Sequence, residues 1–187
     1  MECEELIIET EFKENEAIPK KYSGYGEDVS PEFRIKNLSD KAKSFVITLE
    51  DLSHPIKNFT HWVVWNIEAN SIIEENIGKN ENIVQGVAYG RHKYRGPKPP
   101  FSKPHNYSFT IYAIDTFLDI PSKYKKKKVL KEIEGHIIQK GSITGYYCKK
   151  ENKKAWYDCI KPFLLIKKST PKDRLILLSY CKYIWNC

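Results

Sequence analysis

At 187 residues, 41% of them hydrophobic and 13% aromatic, the chain is long enough to bury one core and short for two. Its net charge of +7 is uneven, because residues 149–187 hold ten Lys or Arg against Glu151, Asp158 and Asp173 and so account for all of it. Residues 1–148 are formally neutral, so the basic balance gives no ground for a nucleic-acid partner, which needs cations clustered on a face of the domain itself.

No stretch approaches the roughly 20 apolar residues that span a bilayer. The opening MECEELIIETEF has five carboxylates in its first eleven residues and no basic segment before an apolar run, unlike a secretory signal. A soluble, cytoplasmic protein is expected. Cysteines 3, 148, 159, 181 and 187 form an odd set without a CxxC or zinc-ligand spacing, so reduced thiols, no metal and no cofactor are expected.

In chain order, LIIETEF (6–12) reads as a strand and is followed by a polar loop rich in Gly, Pro and turn formers. SFVITLED (44–51), HWVVWNI (61–67) and YSFTIYAID (107–115) are β-branched and aromatic and read as strands. The run Lys125 to Lys128 reads as the solvated start of a helix over 125–135, with Val129, Leu130 and Ile133 at helical spacing and Gly135 at its end. HIIQKGSITGYY (136–147) is a further strand. Many strands and one modest helix predict a mainly β fold, an antiparallel β-sandwich of two sheets with a few peripheral helices, over residues 1–148.

Period-two alternation then places the polar residues. Asp51 shares the face of Phe45, Ile47 and Leu49, and His105 lies two residues before Tyr107 on the face of Phe109 and Ile111. His61 opens its strand with Val63, Trp65 and Ile67 on its side. Only nine residues separate Asp51 from His61, which favours an antiparallel pair and puts both at one edge. If the strand after His105 runs in the same sense as the strand after His61, all three side chains meet at one rim.

Each of these residues alone fits a structural role, the histidines as hydrogen-bonded edge residues and Asp51 as a turn former before Pro55. Together they allow three chemistries: a two-His, one-Asp metal set, an Asp–His acid–base pair, or an anion site built from imidazole donors, backbone N–H groups and a tyrosine hydroxyl. No nucleophile elbow, P-loop or GxGxxG accompanies them.

The blocks GEDVSPEF (26–33), SFVITLEDLSHP (44–55), HWVVWNI (61–67), YRGPKPPFSKPHNYSFTIYAID (94–115) and EIEGHIIQKGSITGYY (132–147) resemble the phosphatidylethanolamine-binding protein family, in its bacterial and archaeal, Raf kinase inhibitor-like branch. The resemblance implies a two-sheet sandwich with a small pocket for phosphate-like anions. By position, Asp51 matches the first aspartate of the family's Asp-Pro-Asp-x-Pro motif, and His61 matches the pocket histidine. His105 and Tyr107 match its His-Arg-Tyr motif, while Gly96 to Pro100 match the Gly-x-x-Pro-Pro loop, where Lys98 would offer its backbone N–H. Leu52 and Ser53 replace the proline and second aspartate, and Asn106 replaces the arginine, so a less acidic pocket is expected.

The implied function is a non-catalytic module that binds a small anionic or phosphorylated ligand and modulates a protein partner such as a kinase or protease. The alternative is a hydrolase or lyase using Asp51 with His61 or His105. Residues 149–187 match nothing in that family. Their apolar stretches PFLLI and LILLSY flank KKSTPKDR, so a loosely packed or poorly ordered basic extension is expected, with at most peripheral membrane contact.

Overall fold

The computed structural model describes residues 4–57, 59–100 and 103–149. The strands are β1 (Glu4–Glu5), β2 (Ile8–Glu9), β3 (Glu16–Ala17), β4 (Phe33–Ile35), β5 (Ser44–Asp51), β6 (Phe59–Glu68), β7 (Ile72–Ile73), β8 (Val84–Gln85), β9 (His105–Ile114) and β10 (Ile137–Tyr147). The described residues contain one α-helix, α1 (Lys126–Glu132), and 3-10 turns at Lys20–Tyr22 and Ile77–Lys79.

Seven strands form one sheet in the order β1-β10-β9-β5-β6-β8, with β3 also on β10, and β2-β4-β7 form a second sheet. The long strands pair antiparallel, whereas β1 and β3 join β10 in parallel. The mainly β, two-sheet expectation holds. The predicted strand over 6–12 does not: only Ile8–Glu9 is extended and paired there.

Both faces of the large sheet are apolar, as in strands covered on two sides. On one face Phe45, Ile47, Leu49, Phe109 and Ile111 pack with Phe33, Ile35 and Ile73 of the second sheet. On the other, Val46, Val63, Trp65 and Tyr112 are covered by Val129 and Ile133 of the helix. The helix stops as predicted near Gly135, whose φ of +87° favours glycine.

Two departures from regular pairing occur on β6. Leu49 faces Trp62 and Glu50 faces Thr60, so His61 is an extra residue without a partner on β5. Phe45 faces Ile67 and Ile47 faces Val64, a second insertion beside Asn66, whose φ is +62°. These are β-bulges, and each reverses the alternation. His61, Val63, Trp65 and Ile67 therefore do not share a side, as unbroken alternation requires: Val63 and Trp65 face the helix, while Ile67 joins the core between the sheets.

Among the described residues no helix is long and apolar enough to cross a membrane. Of the five cysteines only Cys148 lies among the described residues. The extension from residue 150 onward lies outside the described residues.

Candidate functional site

β6 and β9 flank β5 and both run antiparallel to it, so His61 and His105 enter their strands at the end where β5 delivers Asp51. Asp51 pairs directly with Tyr107 across the β5–β9 ladder, which puts the carboxylate beside the phenol. Asp51 is buried at 3% exposure and both its oxygens are used. Oδ2 accepts from His105 Nδ1 at 2.7 Å and Oδ1 accepts from the Ser53 N–H at 2.9 Å. A carboxylate accepts, so Nδ1 carries the His105 proton and Nε2 is its remaining ring nitrogen.

The bulge turns His61 to the Tyr107 side of the sheet. Its ring meets Tyr107 edge-on at 5.4 Å between centroids, and His105 stacks on Tyr107 at 6.3 Å. His61 Nδ1 donates to the Arg95 carbonyl at 3.1 Å, which again leaves Nε2. Burial holds the His61 imidazole below its ordinary pKa, and the Arg95 carbonyl and Asp51 oppose that shift. The Tyr107 hydroxyl is buried and makes no hydrogen bond of proper geometry. Burial first, then the nearby Asp51 charge, raises its pKa, while the Lys98 N–H works the other way. It stays a neutral O–H donor.

The proline loop is locked from below. Tyr94 O–H donates to the Tyr22 carbonyl at 2.9 Å, Gly24 N–H to the Pro97 carbonyl at 3.0 Å and Tyr25 O–H to the Pro99 carbonyl at 2.8 Å. Gly96 lies so close to Tyr22 that a Cβ there would sit 1.9 Å from the carbonyl oxygen. Its N–H donates to Asp28 Oδ1 at 2.7 Å. That donor is occupied within the protein, so the reason for glycine at this position is close backbone packing.

A small cavity opens beside these residues, lined by Gly24, Asp28, His61, Tyr89, Arg95, Gly96 and Lys98. Of the residues singled out in the sequence, His61, Gly96 and Lys98 line it; Tyr107 packs on His61, and His105 and Asp51 in turn flank Tyr107. Asp28, Tyr89 and Arg95 were missed. Asp28 faces Arg95 at 3.8 Å, and Tyr89 packs on His61 at 5.3 Å. Asp28 and Tyr89 have positive φ, +59° and +51°, a conformation that a bulky tyrosine adopts only under constraint. No pattern in the sequence announces it. Asp28 does lie in the block GEDVSPEF, and its place between Gly26 and Ser30-Pro31 was the available signal.

Ser53 and Asn106, two of the three positions that depart from the family motifs, meet each other: Asn106 N–H donates to Ser53 Oγ at 2.9 Å. Both side chains are spent on, or exposed at, the turn that presents Asp51. Among the described residues no three His, Cys, Asp or Glu side chains group tightly enough to hold a metal, so the two-His, one-Asp set is not a ligand cluster. His54 stacks on Phe59 at 3.8 Å and accepts the Ile56 N–H at 3.0 Å. His136 pairs with Asp115 at 2.8 Å and is exposed, away from the cavity.

Comparison with known proteins agrees with this architecture. The model of the family described as phosphatidylethanolamine-binding protein matches residues 8–148. A UPF0098 protein of Archaeoglobus fulgidus is 43% identical over 148 residues, 76% of this chain and 50% of that protein, so the chain spans half that relative's length. A UPF0098 protein of Pyrococcus horikoshii is 40% identical over 153 residues, 78% of this chain and 77% of that protein. The crystal structure of a phosphatidylethanolamine-binding protein homolog from Chlamydia trachomatis superposes with a TM-score of 0.70 at 31% identity, covering 79% of this chain and all of that one. Escherichia coli YbcL, at 24% identity and a TM-score of 0.69 over 78% of this chain and 99% of that one, shares the fold. A sandwich with this strand order, matched by the family model over residues 8–148 and by archaeal and bacterial relatives, places the chain in the phosphatidylethanolamine-binding protein family.

Proposed function

We propose that the protein is a non-catalytic binding module whose cavity at His61 takes a small anion or the phosphoryl group of a larger ligand. The observation that carries this reading is the state of His61. Its Nδ1 is anchored to the Arg95 carbonyl in a cavity that Arg95 and Lys98 also line. Nε2 is the ring nitrogen left for a ligand, and an incoming dianion favours its protonated form. Asp51 holds His105 from outside the cavity, and Asp28 is engaged by Gly96 and Arg95, so neither carboxylate is unpartnered before an arriving anion. A ligand carried on a protein would let the module modulate a kinase, a protease or another partner.

The Asp51–His105 hydrogen bond of 2.7 Å favours a second reading, a hydrolase or lyase in which the pair moves a proton. Phosphate titration and a screen of esters and phosphomonoesters separate the two. The binding reading expects saturable phosphate binding that His61→Ala abolishes, and no turnover. Turnover lost in Asp51→Asn and kept in Lys41→Gln, an exposed control, would replace it with the enzyme.

A further inference from the structure

The formally neutral domain is electrically lopsided. No Asp or Glu occurs between Glu81 and Asp115, where Arg91, Lys93, Arg95 and Lys98 lie, and none between Asp119 and Glu132, where Lys123 and Lys125 to Lys128 lie. The fold brings these two segments together. Val87 N–H donates to the Tyr124 carbonyl at 2.9 Å, and Ala88 and Arg91 close the adjoining turn. Lys126 pairs with Glu50 at the end of β5, one residue from Asp51, so the helix start stands at the same end of the sheet as the cavity. Lys93, Lys123, Lys125, Lys127 and Lys128 are exposed. Among the described residues, the carboxylates that pair with this surface are Glu50, with Lys126, and Asp28, with Arg95.

Apolar side chains stand at the same rim. Leu52, Ile56 and Tyr89, at 59%, 64% and 50% exposure, are three of the six large hydrophobic residues exposed among those described. Between them, Phe59 stacks on His54, which accepts the Ile56 N–H at 3.0 Å, and meets Tyr89 edge-on at 5.2 Å. The loop 52–57 itself has no acidic residue.

We infer that this rim docks the folded domain on an anionic lipid surface, with the lysines over the headgroups and Leu52, Ile56 and Tyr89 inserted among them. The residue types decide the partner. Lysine is a compact, strongly hydrated charge without the planar fork that reads one phosphate or carboxylate, so a row of exposed lysines suits a diffuse negative surface. Exposed aliphatic side chains beside such a row gain from entering the interface, and each cation near an anionic leaflet adds to the attraction. This surface does not depend on the His61 cavity taking a ligand.

The test is co-sedimentation of the full chain with phosphatidylcholine vesicles, with and without phosphatidylserine, at rising salt. Binding is expected only with phosphatidylserine and weakens with salt. Combining Lys93→Gln, Lys123→Gln, Lys125→Gln and Lys127→Gln lowers the partition coefficient by about tenfold or more. Leu52→Ser with Ile56→Ser lowers binding with the salt dependence retained. All six positions are exposed, and an unchanged thermal midpoint verifies the fold. His61→Gln binds vesicles like the wild type even if it abolishes phosphate binding. The inference is overturned if the lysine variant binds like the wild type. It is equally overturned if neutralising Lys161, Lys167, Lys168 and Lys172 costs as much, because the attraction then follows total charge or the extension rather than the rim.

Discussion

In the proposed site His61 is the buried imidazole, and its protonation has a consequence for stability. Burial lowers its pKa in the folded protein, so the unfolded chain, with an imidazole near about 6.5, binds the proton first as pH falls. Stability is therefore full above about pH 6.5 and declines as pH drops through the lower folded value. In thermal melts from pH 8 to 5, His61→Gln should show a shallower acid-side decline than the wild type, once other groups cancel in the difference; parallel curves would mean the ring titrates alike in both states. Tyr107 gives a complementary test. Its hydroxyl is buried without a proper hydrogen bond, so Tyr107→Phe should leave stability within about 1 kcal/mol of the wild type or raise it. If that hydroxyl donates to the ligand, phosphate affinity falls by about three- to tenfold, the loss of one ordinary hydrogen bond. Calorimetry alongside melts reads both quantities.

At the scale of elements, the sequence was most legible where alternation is unbroken. Ser44–Asp51 occupies the predicted strand, and Asp51, Tyr107 and His105 fall where parity puts them. His61 stands on the Tyr107 side for a reason alternation could not supply: the bulge that re-aims it is a property of the β5–β6 pairing, with no signature in HWVVWNI. The short strands at residues 4–5, 16–17, 72–73 and 84–85 are two residues each, held by their neighbours and too brief for any period. The loop at residues 94–100 was legible as stiff from its prolines, but Gly96 acts through a contact with Tyr22, far away in the chain. Gly96→Ala must push that carbonyl away, and the expected cost is about 1–3 kcal/mol or more, with phosphate binding weakened because Arg95 and the His61 anchor move with the loop. Denaturant unfolding measures it; a variant as stable as the wild type would mean the loop relaxes freely.

At the scale of the whole molecule, summed charge was the least informative quantity. Neutrality over residues 1–148 conceals acid-free segments that only the fold unites, and the +7 of the chain resides in an extension outside the matched region. What the family fold provides is a rigid rim with one buried, neutral imidazole at a small cavity, and its proton linkage is the most direct test. Phosphate is titrated calorimetrically into the full-length protein near pH 7, in two buffers of different ionisation enthalpy. Because the free ring is neutral and the dianion favours its charged form, binding should take up a proton, tighten as pH falls from about 8 to about 6, and lose both features in His61→Gln. Affinity that is independent of pH, with no proton uptake and no change in His61→Gln, would contradict an anion site at His61.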